Sequence, residues 1–251
     1  MDSTNRVALE LARAGAPEGL VVVAGHQTAG RGRHGRTWDA APGSSLLLSV
    51  LLRPGPALPP DQPLPPGPAP PERSSRHGPA LPPERSHLAV AAVSLAARHA
   101  CSAVAGFTPA LKWPNDLMVG DAKVAGVLAE VAGDAVVVGL GLNVSLAGPW
   151  PPGAASAEGA AGRPIVVDQL LDGFLVALAH CYGDWPAVAS DHRRACATLG
   201  RTVRVDLADE SFTGTAADIT DDGHLLVDVG MCIRTITAGD VVHLRPTPEP
   251  Y

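Results

Sequence analysis

The 251-residue sequence predicts an α/β (α+β) fold, in which a domain with a mixed sheet flanked by helices precedes a small β-barrel. Two observations carry this prediction. Short apolar runs alternate with longer helical patterns over residues 1–197, and five short strands with turn signals between them follow from about residue 198. We therefore expect one domain over residues 1–197 and a second unit over residues 198–251.

The first elements follow from the order of capping, apolar and polar residues. Side chains suited to helix capping at residues 2–5 precede a helix over residues 6–14, whose apolar positions share one face. A β-branched run predicts a strand over residues 20–24, and a second strand follows at residues 45–52. The polar, glycine-rich residues 25–44 between them predict a long loop.

A proline-rich segment separates these elements from the rest of the chain. Residues 54–83 hold 13 of the 25 prolines, and each proline removes a backbone donor and fixes φ. The motif at residues 55–60 recurs at residues 78–83. We interpret residues 54–87 as a disordered surface insertion, which costs little loop entropy. A ligand for a proline-recognising partner is the alternative interpretation.

After the insertion, the pattern predicts a long helix, three strands and two further helices, at residues 88–105, 111–113, 123–131, 135–143, 168–182 and 185–197. An alanine-rich stretch without glycine or proline favours the long helix. Asp168 and Asp184 are suited to be the N-caps of the last two helices. In the second unit, alternating apolar and polar residues predict strands at residues 203–207, 225–229 and 233–236.

The composition argues against several classes of protein. A net charge of −6 disfavours a broadly basic nucleic-acid-binding protein. No run of about 18 apolar residues occurs, so we expect no transmembrane helix and no membrane partner. The four cysteines are widely spaced and form no C-x-x-C pair, which disfavours a zinc site. We expect buried thiols and a reducing, cytoplasmic setting.

The loop after the first strand is the first candidate site. Residues 27–38 contain Arg31, Arg33 and Arg36 between glycines that let a ligand approach the backbone. Planar guanidinium groups suit a phosphate, although neither a P-loop nor a dinucleotide fingerprint is present. Because the arginines repel one another, we expect this loop to be mobile without an anion and to order over one as a lid. An RNA-binding Arg-Gly segment is the alternative.

The lysines form the second candidate site. Of the 19 Lys and Arg residues, only Lys112 and Lys123 are lysines. Lys112 stands near a predicted strand end, ahead of a Trp-Pro pair that favours an extended backbone and an Asn115-Asp116 pair that favours a turn. A compact ammonium reaches a single ligand oxygen, so scarcity and position together indicate that these lysines are required.

Glycines inside predicted strands form the third candidate site. Gly126, Gly139 and Gly141 weaken their strands unless something needs to approach the backbone closely. A buried slot for a small molecule would explain them. Close packing of a helix on the sheet would explain them nearly as well, and both interpretations stay open at this point.

Taken together and in order, five stretches resemble the biotin–protein ligases of the class without an N-terminal DNA-binding domain: residues 3–5, 27–36 with Trp38, 112–116, 123–130 and 139–143. The resemblance implies a ligase catalytic domain followed by a small SH3-like barrel. It implies a two-step reaction, in which biotin and ATP with Mg²⁺ form biotinyl-5′-AMP and pyrophosphate. A lysine on the biotin carboxyl carrier domain of a carboxylase then displaces AMP. A cytoplasmic monomer or weak homodimer that binds no DNA is expected.

The resemblance also assigns roles to residues. Lys112 and Arg33 would be catalytic, Lys112 by neutralising charge on the reacting carboxylate and α-phosphate and Arg33 by closing over the adenylate. The residues expected to contact biotin are Ser3, Thr4, Asn5, Gln27, Arg31, Gly32, Arg33, Lys112 and Gly126. The residues expected to contact ATP or the adenylate are Arg31, Arg33, Arg36, Trp38, Asn115, Lys123, Asn143 and Arg245. No metal ligand is assigned.

Three other functions compete with this one. A lipoate or octanoate ligase has the same fold family, although the Lys-Trp-Pro-Asn-Asp and Gly-Arg-Gly-Arg runs favour biotin. An RNA-binding module would use the Arg-Gly loop, against which stand the acidic net charge and the absence of interleaved aromatic residues. A remnant that binds biotin with weak catalysis is the third.

Overall fold

A computed structural model describes residues 1–53, 86–133, 135–145 and 151–244. Within them the chain forms two antiparallel sheets and five α-helices. The predicted insertion at residues 54–87 lies outside the described residues except for Ser86 and His87. These two residues already belong to the long helix, so the helix begins earlier than the sequence predicts.

The first sheet has six strands in the order β1-β2-β6-β5-β4-β3. The strands are β1 (Val21–Ala24), β2 (Ser45–Leu52), β3 (Ala110–Lys112), β4 (Asp116–Val119), β5 (Ala122–Ala132) and β6 (Ala135–Asn143). Every neighbouring pair is antiparallel, so the prediction of a mixed sheet is wrong. The reason is that β3 to β6 follow one another through short turns, whereas a parallel pair needs a long crossover.

Helices cover both faces of this sheet, as predicted. The helices are α1 (Thr4–Arg13), α2 (Ser86–Ala100), α3 (Ala157–Ala161), α4 (Val167–Cys181) and α5 (Trp185–Ala195). The main hydrophobic core joins α2, α4 and α5 to the sheet, and α1 packs on the other face through a separate cluster around Ala8 and Leu51. Burial on both faces explains why all eight residues of β2 are buried.

The long helix has an unusual composition for a protein expected to have no membrane span. The helical segment Ser86–Ala105, whose last turn is π-helical, is long and apolar enough to cross a membrane. However, 72% of the apolar stretch is buried inside the fold, where α2 packs against α4 and α5. The helix therefore has the environment of a core helix in a globular protein.

Several boundaries differ from the predicted ones. Helix α1 begins at Thr4 rather than residue 6, and its N-cap Ser3 makes no side-chain capping hydrogen bond. Asp168 lies within the first turn of α4, after the N-cap Val166, so its predicted capping role is wrong. Asp184 does cap α5, since its carboxylate accepts the Ala187 N–H at 3.2 Å. Strand β4 and helix α3 were not predicted because each is too short to show a period.

The second unit is a five-stranded antiparallel sheet in the order β10-β9-β8-β7-β11. Its strands are β7 (Thr202–Asp206), β8 (Ser211–Ile219), β9 (Leu225–Asp228), β10 (Ile233–Ile236) and β11 (Asp240–His243). The five predicted strands are confirmed. Within residues 198–244, no hydrogen-bonded pairing joins the outer strands β10 and β11, so the closed barrel is not confirmed. Trp113 packs into the core of this unit and donates its Nε1–H to Gly223 O at 3.0 Å, which fixes the unit to the first sheet.

The cysteines are free thiols with different environments. Cys101 and Cys196 are buried and Cys181 is half-buried, whereas Cys232 is exposed, so the expectation of buried thiols is wrong for Cys232. Burial raises the pKa of Cys101 to about 12 and that of Cys181 to about 11. The thiols of Cys101 and Cys181 therefore stay protonated and unreactive at neutral pH.

Candidate active site

A cavity of about 350 Å³ opens between the first sheet, helix α1, the arginine loop and the second unit. It brings together every predicted site residue that the structure describes. These are Ser3, Thr4, Asn5, Gln27, Arg31, Gly32, Arg33, Arg36, Trp38, Lys112, Asn115, Lys123, Gly126 and Asn143. Arg245 lies outside the described residues. Residues more than 100 positions apart in the chain thus meet at one site.

One end of the cavity, the neutral end, consists of uncharged polar groups around the start of α1. Gln27 Oε1 accepts from the Thr4 backbone N–H at 2.7 Å and from Thr4 Oγ1 at 3.1 Å. Ser49 Oγ contacts Thr4 Oγ1 at 2.8 Å and Asn5 Oδ1 at 2.6 Å. Asn5 Nδ2 donates to Glu130 Oε2 at 2.8 Å. Because these side chains bond to one another, their rotamers are fixed before any ligand arrives.

The glycines predicted to need close approach do meet other groups closely. Gly126 and Gly141 face each other across strands β5 and β6. A Cβ at Gly141 would lie 2.5 Å from the Trp38 ring, and one at Gly139 would lie 2.2 Å from Asn5 Oδ1. Gly141 therefore admits Trp38 to the sheet surface, which favours a slot there, whereas Gly139 admits Asn5 of helix α1, as close packing of a helix on the sheet predicts.

The two lysines occupy different electrostatic settings within the cavity. Lys123 Nζ pairs with Asp116 Oδ1 at 2.6 Å and lies 5.6 Å from the centre of the Trp38 ring. Lys112, the last residue of β3, is half-buried and makes no ion pair with the described residues. An unpaired ammonium in a cavity is available to an anionic ligand.

The arginine loop is attached to the second unit. Arg33 Nη2 donates to Gly239 O at 2.8 Å, and Arg33 Nη1 lies 3.4 Å from Asp240 Oδ1 and 3.3 Å from Asn115 Oδ1. Arg36 Nη2 donates to Asp240 Oδ2 at 2.9 Å. Burial lowers the pKa of Arg33, but an arginine stays charged at neutral pH. Asp240 therefore offsets the repulsion between arginines on which the expectation of a mobile loop rested.

Two buried polar atoms that line the cavity have no partner among the described residues. Asn143 Nδ2 donates to Ala155 O at 3.0 Å, while its Oδ1 is buried and unpaired. Trp38 Nε1 is likewise buried and unpaired. Unsatisfied buried polar atoms are rare, so at a cavity wall they indicate groups that a ligand completes.

The charges that line the cavity favour an anionic ligand. Five cationic side chains, Arg31, Arg33, Arg36, Lys112 and Lys123, face three carboxylates, Asp39, Asp116 and Asp240. Arg33 and Arg36 pair with Asp240 and Lys123 pairs with Asp116, and we call these three side chains together with Lys112 the cationic end. Arg31 instead pairs with Glu130, which Asn5 of the neutral end also contacts. A ligand with an uncharged polar head and an anionic tail matches this distribution.

Four residues that shape the site were not among the predicted site residues. They are Ser49, Asp116, Glu130 and Asp240, and each acts as a partner to a predicted residue. Asp116 and Glu130 end motifs that the sequence singles out, so proximity to those motifs could have found them. Ser49 and Asp240 carry no such signal, because only the fold brings them to the cavity.

Comparisons with known proteins agree with this geometry. Residues 1–63 match the model of the Biotin/lipoate A/B protein ligase family, and residues 198–244 match that of the Biotin protein ligase C terminal domain. The chain is 37% identical to a biotin–[acetyl-CoA-carboxylase] ligase of Mycobacterium tuberculosis, over 97% of this chain and 86% of the relative. It is 32% identical to the enzyme of that name from Paracoccus denitrificans, over 96% of both chains.

The fold is also that of a solved ligase. The biotin protein ligase from Aquifex aeolicus, in complex with biotin and ATP, superposes with a TM-score of 0.74. The alignment covers 97% of this chain and 95% of the Aquifex chain at 23% sequence identity. At 23% identity the structural likeness supports the fold alone, whereas the assignment to a family rests on the two relatives above.

Proposed function

The chain belongs to the biotin protein ligase family, and from this premise we propose that it activates biotin with ATP and transfers it to a lysine of a biotin carboxyl carrier domain. The observation that carries the proposal is the division of one cavity into a neutral and a cationic end. Biotin has an uncharged ureido ring at one end and a carboxylate at the other, and reaction with ATP replaces the charge of that carboxylate by the charge of the adenylate phosphate.

Recognition of biotin belongs to the neutral end. The ureido ring needs both donors and acceptors, which Thr4, Asn5 and Gln27 supply together with Ser3. The apolar tail would run along the strands that carry Gly126 and Gly141. Because the neutral groups are already fixed by mutual hydrogen bonds, little side-chain entropy is lost on binding.

The activation step belongs to the cationic end. A carboxylate oxygen of biotin attacks the α-phosphorus of ATP, and the bond to the β-phosphate oxygen breaks to release pyrophosphate. During this step the attacking carboxylate and the phosphates bring several negative charges close together. Lys112 and Lys123 stabilise that charge electrostatically, and Lys112 has no competing carboxylate among the described residues.

The transfer step requires that the mixed anhydride be protected from water. The acceptor amine forms an amide bond with the biotin carbonyl carbon, the bond to AMP breaks, and the amine gives up its proton to solvent. Arg33 and Arg36 hold the loop that would cover the anhydride, and Arg33 is the better buried of the two. A covered intermediate reacts with the acceptor rather than with water.

The nucleotide would lie between the loop and the far end of β6. Asn143 Oδ1 and Trp38 Nε1, both unpaired, are suited to hydrogen-bond it, and the Trp38 ring offers a stacking surface. Asn115 would act through Arg33, because its side-chain oxygen accepts a hydrogen bond from the Arg33 guanidinium group. We also propose Arg245 as a phosphate contact, on the sequence resemblance alone.

Magnesium fits the site as a partner of the nucleotide. The residues that the structure describes contain no group of three or more His, Cys, Asp or Glu side chains able to hold a metal. Mg²⁺ commonly keeps its waters and is held by phosphates with one or two carboxylates, which Asp39 and Asp116 at the cavity wall can provide. When bound, the ion would stabilise charge on the phosphates.

The remaining proposals concern the domain boundary, the second unit and the assembly of the protein. We propose a boundary near residue 198, which the match of residues 198–244 to a C-terminal domain model favours. We propose that the second unit is an SH3-like barrel, on the sequence resemblance and the match to the C-terminal domain model. We also propose a cytoplasmic monomer or weak homodimer that binds no DNA, and the acidic net charge supports the last of these points.

Incubation with ATP, Mg²⁺, biotin and a purified carrier domain tests the proposal. We expect the carrier to gain the mass of biotin less one water, and the gain to disappear when the carrier lysine is replaced by arginine. Parallel reactions with lipoate and octanoate address the second enzymatic candidate. Lipoylation or octanoylation of the acceptor instead, or adenylate-free binding of biotin alone, would contradict the proposed function.

A further inference from the structure

A buried hydroxyl connects the strand that carries Lys112 to the second unit. The Trp113 backbone N–H donates to Thr198 Oγ1 at 3.0 Å, and Thr198 Oγ1 lies 3.0 Å from His243 Nε2. Thr198 is 0% exposed, and Trp113 is buried as well. The residue next to Lys112 is thus tied through one side chain to β11, although His243 itself does not line the cavity.

The chemistry of the three groups sets the direction of the first bond. A backbone N–H can only donate, so the Thr198 oxygen accepts from Trp113. The bond to His243 forms with either tautomer of a neutral imidazole: Nε2 accepts the hydroxyl proton when His243 carries its proton on Nδ1, and donates to the second lone pair of Thr198 Oγ1 when the proton is on Nε2.

The surroundings keep His243 neutral. Partial burial, followed by the charges of Lys112 and Arg201, lowers the pKa of His243 to about 4, while Asp121 acts weakly in the opposite direction. An imidazolium would add a positive charge near Lys112 and Arg201. The neutral form is therefore the one that agrees with the charges around His243.

We propose that His243 is a positioning residue for Lys112, acting through Thr198 and the Trp113 backbone to aim the ammonium into the cavity. His243 would thereby take part in activation without touching a substrate. The inference rests on the proposed function and deepens it, because it concerns the adenylation step alone. Lys112 has no ion pair among the described residues to hold it, so its direction depends on the backbone, which this chain of bonds fixes together with the pairing of β3 and β4.

Substitution of His243 by glutamine or by asparagine separates a positioning role from a packing role. In His243→Gln the side-chain oxygen can occupy the place of Nε2 and accept from Thr198, whereas the shorter side chain of His243→Asn cannot reach it. We expect His243→Asn to lower the rate of pyrophosphate release about tenfold, as loss of one aligned hydrogen bond allows, with the biotin Kd nearly unchanged. His243→Gln should restore most of the rate. His99→Asn, at an exposed position of α2, is the matched control.

A second pair of variants tests the middle of the chain of bonds. Thr198→Ser keeps the hydroxyl, while Thr198→Val keeps the shape and removes it. We expect the rate to fall with Thr198→Val and to be retained with Thr198→Ser. Thermal melting of all four variants, measured in parallel, distinguishes a folding defect from a loss of positioning. If His243→Gln and His243→Asn lose the same stability but differ in rate, unfolding does not explain the difference, and the same holds for Thr198→Ser and Thr198→Val.

The decisive measurement is a double-mutant comparison. In a Lys112→Met background, His243→Asn should cause no further loss of rate, because the group that it positions is gone. A full tenfold loss in that background would overturn the inference, and so would equal rates for His243→Gln and His243→Asn. If the wild-type protein forms no biotinyl-AMP in the same assay, the proposed function itself fails, which is a separate result.

Discussion

The two ends of the cavity are held in place in opposite ways. At the neutral end, Ser49 is fully buried and links Thr4 to Asn5 through hydrogen bonds between uncharged groups. At the cationic end, the side chains of Arg36 and Lys123 are 64% and 36% exposed and are held by ion pairs with Asp240 and Asp116. One end is a buried network, while the other is a set of exposed charge pairs.

This difference indicates a division of labour. A buried network of neutral groups is costly to disturb, so it favours one shape of ligand. Exposed ion pairs contribute little to stability, and an incoming phosphate can replace their carboxylates at small cost. The neutral end is therefore suited to recognise a fixed group, and the cationic end is suited to rearrange around a reacting one. Substitutions at each end should change different measurements.

The largest effect should come from removing the ammonium groups. We expect Lys112→Met and Lys123→Met each to lower the rate of biotinyl-AMP formation by about 100-fold or more, the loss typical of an electrostatic group that acts in the transition state. Biotin should still bind, more weakly, because the neutral end is unchanged. Pyrophosphate release and biotin titration measure the two quantities. Wild-type turnover by Lys112→Met would show that its assigned role is wrong.

A small addition at the neutral end should change affinity rather than rate. The Cβ of Gly139→Ala would lie 2.2 Å from Asn5 Oδ1, so Asn5 must leave its bonds to Ser49 and Glu130. We expect the biotin Kd to rise by about 30-fold, as loss of a fixed hydrogen-bonding group allows. Gly25→Ala is the matched control, since nothing lies within 4 Å of its Cβ. Similar Kd values for the two variants would argue against a rigid neutral end.

Loosening the loop should change the fate of the intermediate. Arg33→Gly removes the contacts to Gly239, Asp240 and Asn115, so we expect biotinyl-AMP to dissociate about tenfold faster and to label bystander lysines. Arg33→Lys should be intermediate, because an ammonium keeps the charge and loses the fork. Labelling of an added bystander protein measures the leak. An unchanged ratio of carrier to bystander labelling would contradict the lid.

The sequence predicted the members of the site better than the bonds between them. Lys112, Gly126 and Asn143 are recognisable because rarity, glycine in a strand and motif order mark them along the chain. The bond from Arg36 to Asp240 joins residues 204 positions apart, and no local pattern encodes such a pairing. Local chemistry thus reveals which residues act, and the fold decides with which partner.

The same limit explains the errors in the fold. The positions of β2, β6 and β10 were predicted because apolar content marks them. The direction of pairing in the first sheet was not, since it depends on the short strand β4, whose four residues carry too little pattern. Whether the outer strands of the second sheet pair could not be predicted either, because closure of a sheet depends on distant strands rather than on any one segment.

The smallest effect should come from the partner that joins the loop to the second unit. Asp240→Asn keeps the shape and one acceptor but removes the charge that faces Arg33, His34 and Arg36. Since such exposed pairs are worth little, we expect the adenylate to dissociate only about threefold faster at low salt. Added salt should accelerate dissociation from the wild type toward that of the variant, because it screens the same charges. The comparison of the two ends makes this test sharp: salt should raise the biotin Kd less than it accelerates dissociation of the adenylate, since the neutral end binds the uncharged ureido ring. Salt-insensitive dissociation in the wild type, or a biotin Kd that rises equally with salt, would mean that the two ends are not held in different ways.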